Sequence, residues 1–190
     1  MTAGNKLFSK QSVGSPFTVY APGKYTEKGV DDISRNWAFA VKAGDTLTYT
    51  WPLNAFDNNQ YHLRLYGPNG FYREFKGNAT DPEPEVRVEY QKDAKSGKLT
   101  GNVLLYLTNT DANKTLQVTI KDNAYKKKDI VQEIAKGGKA TVTLSLKDSY
   151  GWYDFSIKIN GAEASEKRYA GRVETGKESF SDPDMGRVIA

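Results

Sequence analysis

The second half of this chain repeats the pattern of the first half. The segment VKAGDTLTYTWPL (41–53) aligns with IAKGGKATVTLSL (134–146) at a constant offset of 93 residues. Two further matches join YHLRL (61–65) to YDFSI (153–157) and REFKG (73–77) to KRYAG (167–171). Self-similarity at a fixed spacing indicates that one structural unit occurs twice. A chain of 190 residues then divides into two units of the size that small β-sandwiches commonly have.

Apolar and polar residues alternate within each repeat. In residues 46–53 the odd positions are apolar and positions 46, 48 and 50 are threonine, and residues 139–146 follow the same period of two. This period is typical of a strand that is buried on one face. Further strands are predicted at 17–20, 36–41, 60–66, 71–76, 85–90, 101–108, 114–121, 129–134, 151–159 and 166–173.

The spacing of the predicted strands indicates an all-β fold. Short clusters of Gly, Asn, Asp and Pro separate the strands, as turns require, and no long helical pattern interrupts them. The second repeat has about seven strands, the number in an immunoglobulin constant-type sandwich. We therefore predict two tandem immunoglobulin-like antiparallel β-sandwich domains, 1–82 and 83–190. The first repeat has few strand candidates before residue 17, so we expect its opening strand to be weak or truncated.

A turn followed by a tyrosine recurs in both repeats. Residues 57–61 and 148–153 each run from an Asp to a Tyr, and the apolar residues Leu63 and Phe155 follow two positions later. This arrangement resembles the tyrosine corner of immunoglobulin-like domains, in which the hydroxyl returns a hydrogen bond to the backbone. Its occurrence at matching places supports the repeat.

The distribution of charge argues against several classes of partner. The net charge is +4, but residues 1–95 carry 12 basic and 11 acidic groups and residues 96–190 carry 15 and 12, with the signs interleaved. Nucleic-acid binding proteins usually show a basic stripe or a reading motif, so we predict no nucleic-acid partner. No apolar run approaches 18 residues, the length that a membrane-spanning helix needs. The absence of cysteine excludes disulfides and thiolate chemistry.

The sequence contains no convincing catalytic or metal-binding pattern. Alternation places the one histidine, His62, on the face opposite Tyr61, and we expect a solvent-facing strand histidine without a catalytic partner. The acidic segments 31–32, 81–85 and 182–184 lack the alternating oxygen ligands around a glycine turn that calcium loops have, so we expect solvated turns. No glycine-rich loop opens a helix. We predict no catalytic residue, no metal site and no cofactor.

One hairpin is a candidate for binding. Gly67-Pro68-Asn69-Gly70 is a strong turn sequence, and Phe71, Tyr72 and Arg73 follow it directly. Two aromatic rings and a cation beside an exposed loop suit a lipid interface, which makes these three residues candidate lipid contacts. The alternative is that Phe71 packs inward and Tyr72 lies at the edge of the strand.

Several segments resemble the carboxy-terminal region of bacterial phosphocholine-specific phospholipases C. The resemblance covers about residues 14–186. It rests on VKAGDTLTYTW, on YHLRLYGPNGFYREFKG (61–77), on GWYDFSIKI (151–159) and, most specifically, on RYAGRVETGKESFSDPDMG (168–186). The second repeat has Asn-Gly-Ala-Glu at 160–163 where the first has its Gly-Pro-Asn-Gly turn, so a role of that turn cannot belong to both repeats.

The resemblance implies a setting for the chain. In that family a large catalytic domain, related to acid phosphatases and to alkaline-phosphatase-like phosphoesterases, carries the nucleophile and metal site and precedes two small β domains. Nothing in residues 1–190 matches the catalytic part, so no catalytic residue is carried over. The implied role is a non-catalytic accessory module of a secreted or periplasmic phospholipase C, with the parent catalytic domain as its partner in cis and a phospholipid surface as a further candidate partner.

A different class of function is also compatible with the sequence. A carbohydrate-binding or adhesive pair of immunoglobulin-like domains would use Trp37, Trp152 and the tyrosines as stacking surfaces. By alternation, Trp152 lies on the outer face of its strand, where the partner domain could cover it. This class predicts an exposed aromatic platform on a sheet face or at loop tips. The oligomeric state is not indicated by the sequence.

Overall fold

The computed structural model describes residues 1–6, 9–82 and 84–184. Strands make up almost all of the regular structure, the remainder being three-residue 3₁₀ turns, and each strand pairing in the described part of the chain is antiparallel. The prediction of an all-β, antiparallel fold is confirmed.

The chain forms two compact units, Met1–Thr80 and Asp81–Ala190. The predicted boundary between residues 82 and 83 lies two positions beyond this division. That 1–82 and 83–190 are separate domains of one repeated kind stays a prediction.

The described residues of the first unit form six strands. They are β1 (Ser15–Ala21), β2 (Tyr25–Glu27), β3 (Val30–Asp32), β4 (Arg35–Val41), β5 (Gln60–Tyr66) and β6 (Tyr72–Asn78). Strands β4, β1, β5 and β6 lie in that order in one sheet, whereas β2 and β3 form a separate short hairpin. The inner face of the sheet carries the alternating apolar residues, as Phe17 and Val19 of β1 show with 6% and 1% of their surface exposed.

The predicted strand at 46–53 is wrong. Only Thr46 forms a bridge, with Thr2, and the segment ends in a 3₁₀ turn at Leu53–Ala55. Leu47 and Trp51 nevertheless pack on the core. Alternation indicates which side chains point inward, but it does not indicate whether the backbone is hydrogen-bonded to a neighbouring strand. The backbone partners found here are residues 1–3, through hydrogen bonds at Met1 and Ala3.

Within residues 84–184 the second unit contains seven strands, in agreement with the predicted number of about seven. They are β7 (Glu85–Lys92), β8 (Leu99–Thr108), β9 (Leu116–Asp122), β10 (Ile130–Ile134), β11 (Lys139–Leu144), β12 (Trp152–Ile159) and β13 (Ala162–Arg172). One sheet has the order β10-β9-β12-β13 and the other the order β11-β8-β7. Here the counterpart of 46–53 is a true strand, since β11 pairs with β8 over six residues from Lys139↔Thr108 to Leu144↔Val103.

Both sheets of the second unit contribute to its core. Val103, Leu105 and Leu107 of β8 are at most 1% exposed, and Val118 of β9 and Ile157 of β12 are at most 2% exposed. Burying a side chain of this kind stabilises the fold by about 1.5–3 kcal/mol. Two apolar faces that share one core make the unit a two-layer sandwich.

Short turns precede the two aligned tyrosines. A 3₁₀ turn at Asp57–Asn59 leads into β5 and Tyr61, and a 3₁₀ turn at Lys147–Ser149 leads towards β12 and Tyr153. Phe155, two positions after Tyr153, is 3% exposed, as predicted, while Leu63 is partly buried against the core. A turn that contains an Asp therefore precedes each tyrosine, and the hydroxyl-to-backbone hydrogen bond of a tyrosine corner stays a prediction.

Candidate functional site

The turn between β5 and β6 has the geometry that its sequence predicts. The amide of Gly67 donates to the carbonyl of Phe71 at 2.8 Å, and the amide of Phe71 donates to the carbonyl of Pro68 at 3.1 Å. Asn69 and Gly70 have φ values of 55° and 73°, in the left-handed region that Asn and Gly tolerate best. The tip at Pro68–Gly70 is exposed.

The aromatic residue nearest this tip turns inward. Phe71 makes an edge contact with Phe17, with the ring centroids 6.0 Å apart, and packs on the core residues around Val41. The guanidinium of Arg73 lies 4.1 Å from the Phe71 ring centroid and donates from Nη1 to the carbonyl of Tyr72 at 2.7 Å. Phe71 and Arg73 are therefore both half-buried, as in the inward-packing alternative. Their contact with lipid stays a prediction.

Tyr72, the third candidate lipid contact, belongs to the opposite face of the hairpin. Its ring packs at a tilt of 56° against that of Tyr66 with centroids 5.0 Å apart, and its hydroxyl donates to Oε2 of Glu74 at 2.9 Å. Burial and the hydrogen bond to Glu74 both raise the pKa of Tyr72 above 10, because each disfavours the phenolate. The structure thus divides the three sequence-predicted residues between two faces of the sheet.

Glu74 is the centre of a charged network on that outer face. Its side chain is 4% exposed, and Oε1 lies 2.6 Å from His62 Nε2, 3.1 Å from Arg64 Nε and 3.4 Å from Lys76 Nζ. Burial alone would raise the pKa of Glu74, but hydrogen bonds from His62, Tyr72 and Arg64 lower it to about 2. A general base works best with a pKa near the working pH, so Glu74 is suited to holding a charge and not to accepting protons.

The structure corrects one prediction about this network and adds one residue that was not predicted. His62 was predicted to face solvent without a carboxylate partner, but it is half-buried and bonded to Glu74. Glu74 itself was not singled out by the sequence. The usable signal is the hairpin register, which pairs Arg64 with Glu74 and His62 with Lys76 and places all four residues on one face.

Trp152 of the second unit is covered from within its own unit. Its indole N–H donates to the carbonyl of Phe180 at 3.1 Å, and the guanidinium of Arg172 lies 5.4 Å from the ring centroid. Trp37 likewise makes edge contacts with Tyr25 and Trp51, at centroid distances of 5.0 and 5.5 Å. These contacts occupy part of both rings that the carbohydrate-binding alternative would use.

The acidic segments are engaged locally. Asp31 forms an ion pair with Lys24 at 2.8 Å and accepts a hydrogen bond from Thr26, and Asp182 accepts from Tyr125 and from the amide of Asp184. Glu83 lies outside the described residues, as do Met185 and Gly186 at the end of the 168–186 segment. Within the described ranges, no three His, Cys, Asp or Glu side chains come together as a potential metal site.

The part of the chain that the structure describes has no helix of the length and apolarity that crossing a bilayer requires.

Comparison with known proteins identifies a family model and relatives that match most of the chain. The family model of the bacterial phospholipase C C-terminal domain matches residues 1–78 and 84–172. A non-hemolytic phospholipase C of Pseudomonas aeruginosa is 37% identical over 137 residues, which is 68% of this chain and 19% of the relative. A non-hemolytic phospholipase C of Burkholderia pseudomallei is 33% identical over 153 residues, 77% of this chain and 21% of the relative.

A third relative is also matched over only a small part of its own length. A hemolytic phospholipase C of Pseudomonas aeruginosa is 38% identical over 133 residues, covering 66% of this chain and 17% of the relative. The chain thus spans about a fifth of the length of the curated relatives that it matches. Since the family model covers most of the chain, the chain belongs to the family of bacterial phospholipase C C-terminal domains.

Proposed function

We propose that this chain is a non-catalytic accessory module of a secreted bacterial phospholipase C. In this role it supports the parent catalytic domain, its partner in cis, and orients that domain on a phospholipid surface while the parent hydrolyses phosphatidylcholine. The observation that carries the proposal is the family match over residues 1–78 and 84–172, combined with the fifth of the relatives' length that the chain spans.

The charged network around Glu74 in the first unit supports a structural role. The chain's single histidine, His62, shares the buried carboxylate of Glu74 with Arg64, Lys76 and Tyr72. Glu74 has a pKa of about 2, which makes it a very weak base at neutral pH. The residue types that hydrolytic enzymes use are here bonded to one another in a network that fixes a hairpin.

Hydrolysis assays test the non-catalytic part of the proposal. The purified chain should not hydrolyse a chromogenic phosphocholine ester, with or without added divalent metal. Turnover that a chelator abolishes, and that co-purifies with the chain through two separation steps, would overturn the proposal.

A truncation of the parent enzyme tests the accessory role. Removing the region that corresponds to residues 1–184 should leave hydrolysis of a soluble phosphocholine ester largely intact and reduce hydrolysis of phosphatidylcholine in bilayers. Equal loss on both substrates would indicate that the module only supports the fold of the catalytic domain. Unchanged activity on both substrates would contradict any accessory role.

The β5–β6 hairpin is the lipid-contact candidate that the sequence offers, and its exposed tip allows a clean test. Phe71→Ala and Tyr72→Ala should weaken co-sedimentation with phosphatidylcholine vesicles, but both also remove packing or hydrogen bonds, so a thermal melt must accompany each variant.

Asn69→Asp adds a negative charge at the exposed tip without touching the core. Asn54→Asp, also exposed in the first unit, is the matched control. Equal sedimentation of all four variants and the parent chain would remove the hairpin from the lipid-binding surface.

A further inference from the structure

The second unit contains an open groove with several charged lining residues. Three segments that are distant in sequence form it: the start of β8 around Gly101, the turn around Lys147 and Tyr150, and residues 172–179. Its volume is about 450 Å³, which is ample for a phosphate group with part of its substituents. We refer to it as the Arg172 groove.

Cations dominate the lining of the Arg172 groove. Lys147, Arg172 and Lys177 line it, and among its described lining residues Glu178 is the one carboxylate. Lys147 and Lys177 are exposed, so their ammonium groups can reach a ligand at the mouth. Ser145, Thr175 and Asn102 also line this space. Ammonium, guanidinium and hydroxyl donors together are the set that recognises phosphate oxygens.

Arg172 has donor capacity that the protein does not use fully. Its Nε is buried without a hydrogen-bond partner, so only the Nη groups of this 20% exposed side chain can bond to a ligand without rearrangement. The nearest carboxylate, on Glu174, lies 3.8 Å from Nη1, beyond hydrogen-bond distance. The guanidinium is held over the ring of Trp152 at 5.4 Å. A guanidinium that lies over an aromatic ring and has no carboxylate within hydrogen-bond distance keeps positive charge available to an anion, and its ordering entropy is partly lost before the anion binds.

An exposed aromatic pair lies at the rim of the groove. The rings of Tyr150 and Phe180 are 4.6 Å apart, with 46% and 66% of the residue surface exposed, and Tyr150 is also a lining residue. Two hydrogen bonds hold this rim in place, from Ser179 Oγ to the Tyr150 carbonyl and from Trp152 Nε1 to the Phe180 carbonyl. Exposed rings fixed beside cations suit the boundary between headgroups and acyl chains of a bilayer.

We propose that the Arg172 groove binds the phosphate of a phospholipid headgroup at a bilayer surface, with Tyr150 and Phe180 inserting at the level of the headgroups. Lys147, Arg172 and Lys177 supply charge, and the rim aromatics supply the apolar contact that distinguishes a lipid from free phosphate. This inference rests on the proposed lipid-orienting function and assigns it to a surface different from the β5–β6 hairpin.

Vesicle binding by the full chain tests the proposal. Co-sedimentation is measured with vesicles of phosphatidylcholine alone and of phosphatidylcholine mixed with phosphatidylglycerol, at low and high salt. The double variant Lys147→Glu/Lys177→Glu should lose at least about tenfold in apparent affinity for the mixed vesicles, since each basic residue near an anionic surface contributes about a factor of five. High salt should weaken binding of the parent chain in the same way.

The matched control is Lys136→Glu/Lys139→Glu, which makes the same change in charge on exposed residues at the other end of β11. It should bind mixed vesicles within about twofold to threefold of the parent chain, because only long-range attraction is altered. Equal losses in the two double variants would overturn the proposal, since binding would then follow net charge and not the groove.

Phe180→Ala separates a headgroup site from a site for free phosphate. It should lower vesicle binding about fivefold, because it removes most of an exposed aromatic side chain, and leave the chemical-shift response to inorganic phosphate unchanged. Phosphate binding without any vesicle binding would overturn the lipid assignment. Vesicle binding that is lost in Asn69→Asp but retained in the groove variants would overturn the groove while the proposed function stands. The hydrolysis assay tests the non-catalytic role independently of all these outcomes.

Discussion

Arg168 lies against Asp154 with two parallel hydrogen bonds, from Nε to Oδ1 at 2.7 Å and from Nη2 to Oδ2 at 2.5 Å. In the aligned repeats Asp154 corresponds to His62 and Arg168 to Glu74, and that pair is joined at 2.6 Å. The two repeats therefore hold an ionisable cross-strand pair at the same place with the acid and the base exchanged. Opposite charges on neighbouring strands attract each other equally well whichever strand carries the acidic residue.

A double-mutant cycle should show that the Asp154–Arg168 pair stabilises the second unit. The bonds are charge-assisted and bidentate, and Asp154 is only 16% exposed, so screening by solvent is limited. We expect a coupling free energy of about 1–3 kcal/mol between Asp154→Ala and Arg168→Ala, measured by urea unfolding.

The pair Arg87–Glu89 is the control for that cycle. Its atoms are 2.6 Å apart, but the side chains are 63% and 45% exposed, and exposed pairs contribute less than about 1 kcal/mol. A coupling at Asp154–Arg168 no larger than at Arg87–Glu89 would contradict the view that burial and bidentate geometry strengthen the first pair.

The stability of the chain should fall in acid through Glu74. Its pKa in the folded protein is about 2 against an ordinary value of 4.5, so the unfolded chain binds its proton first as pH falls. The stabilisation is complete above pH 4.5 and disappears as pH falls towards 2, with an upper limit of about 3 kcal/mol. Urea midpoints measured across this range should fall more steeply for the parent chain than for Glu74→Gln.

Glu89→Gln provides the comparison, because it removes an exposed carboxylate of the same type. Its pH profile should follow that of the parent chain. If the Glu74→Gln and parent profiles were parallel, the buried network would not be the source of the acid sensitivity.

The second unit could be predicted from sequence more completely than the first. In β11 and β12 the alternation coincides with a long ladder partner and a buried face, so periodicity is sufficient to predict these strands. In residues 46–53 the same alternation occurs without such a partner. The three-residue strands β2 and β3 were not predicted, because three residues carry too little periodicity to recognise.

For the candidate sites too, the sequence predicts the features that depend on adjacent residues and misses those that depend on distant segments. The conformation of the turn at Pro68–Gly70 depends on adjacent residues only, so the residue types in the turn predict its backbone conformation. The Glu74 network requires the register of two strands, and the Arg172 groove requires three segments that are distant along the chain. Such arrangements leave no local pattern, so the sequence could name Phe71–Arg73 but not the groove.

Asn109 should be a strong determinant of stability in the second unit. Asn109 is 1% exposed, and its Nδ2 donates to the carbonyls of Lys114, Ile134 and Ala135 at 2.7, 3.2 and 3.1 Å. Asn109→Ala leaves these buried carbonyls without their donor, and we expect a loss of about 2–3 kcal/mol in the free energy of unfolding. Asn160→Ala, at an exposed position, should cost less than about 1 kcal/mol. Similar losses for the two variants would show that the carbonyls find water instead.

The close approach of Tyr153 to Gly171 gives a last prediction. The two residues are register partners on β12 and β13, and a Cβ atom added at Gly171 would lie 2.9 Å from Tyr153 Oη and 3.2 Å from Cζ. Tyr153 is 2% exposed and cannot move aside freely, and Gly171 has a φ of 156° that residues with a side chain rarely adopt. Both effects oppose a Cβ atom, so Gly171→Ala should lower the free energy of unfolding by about 1–3 kcal/mol. Gly23→Ala, where a Cβ would meet nothing within 4 Å, is the control and should be close to neutral. Because Tyr153→Phe removes the nearest atom, Gly171→Ala should cost less in that background, and an unchanged cost would place the strain in the backbone of β13 and not in the tyrosine contact.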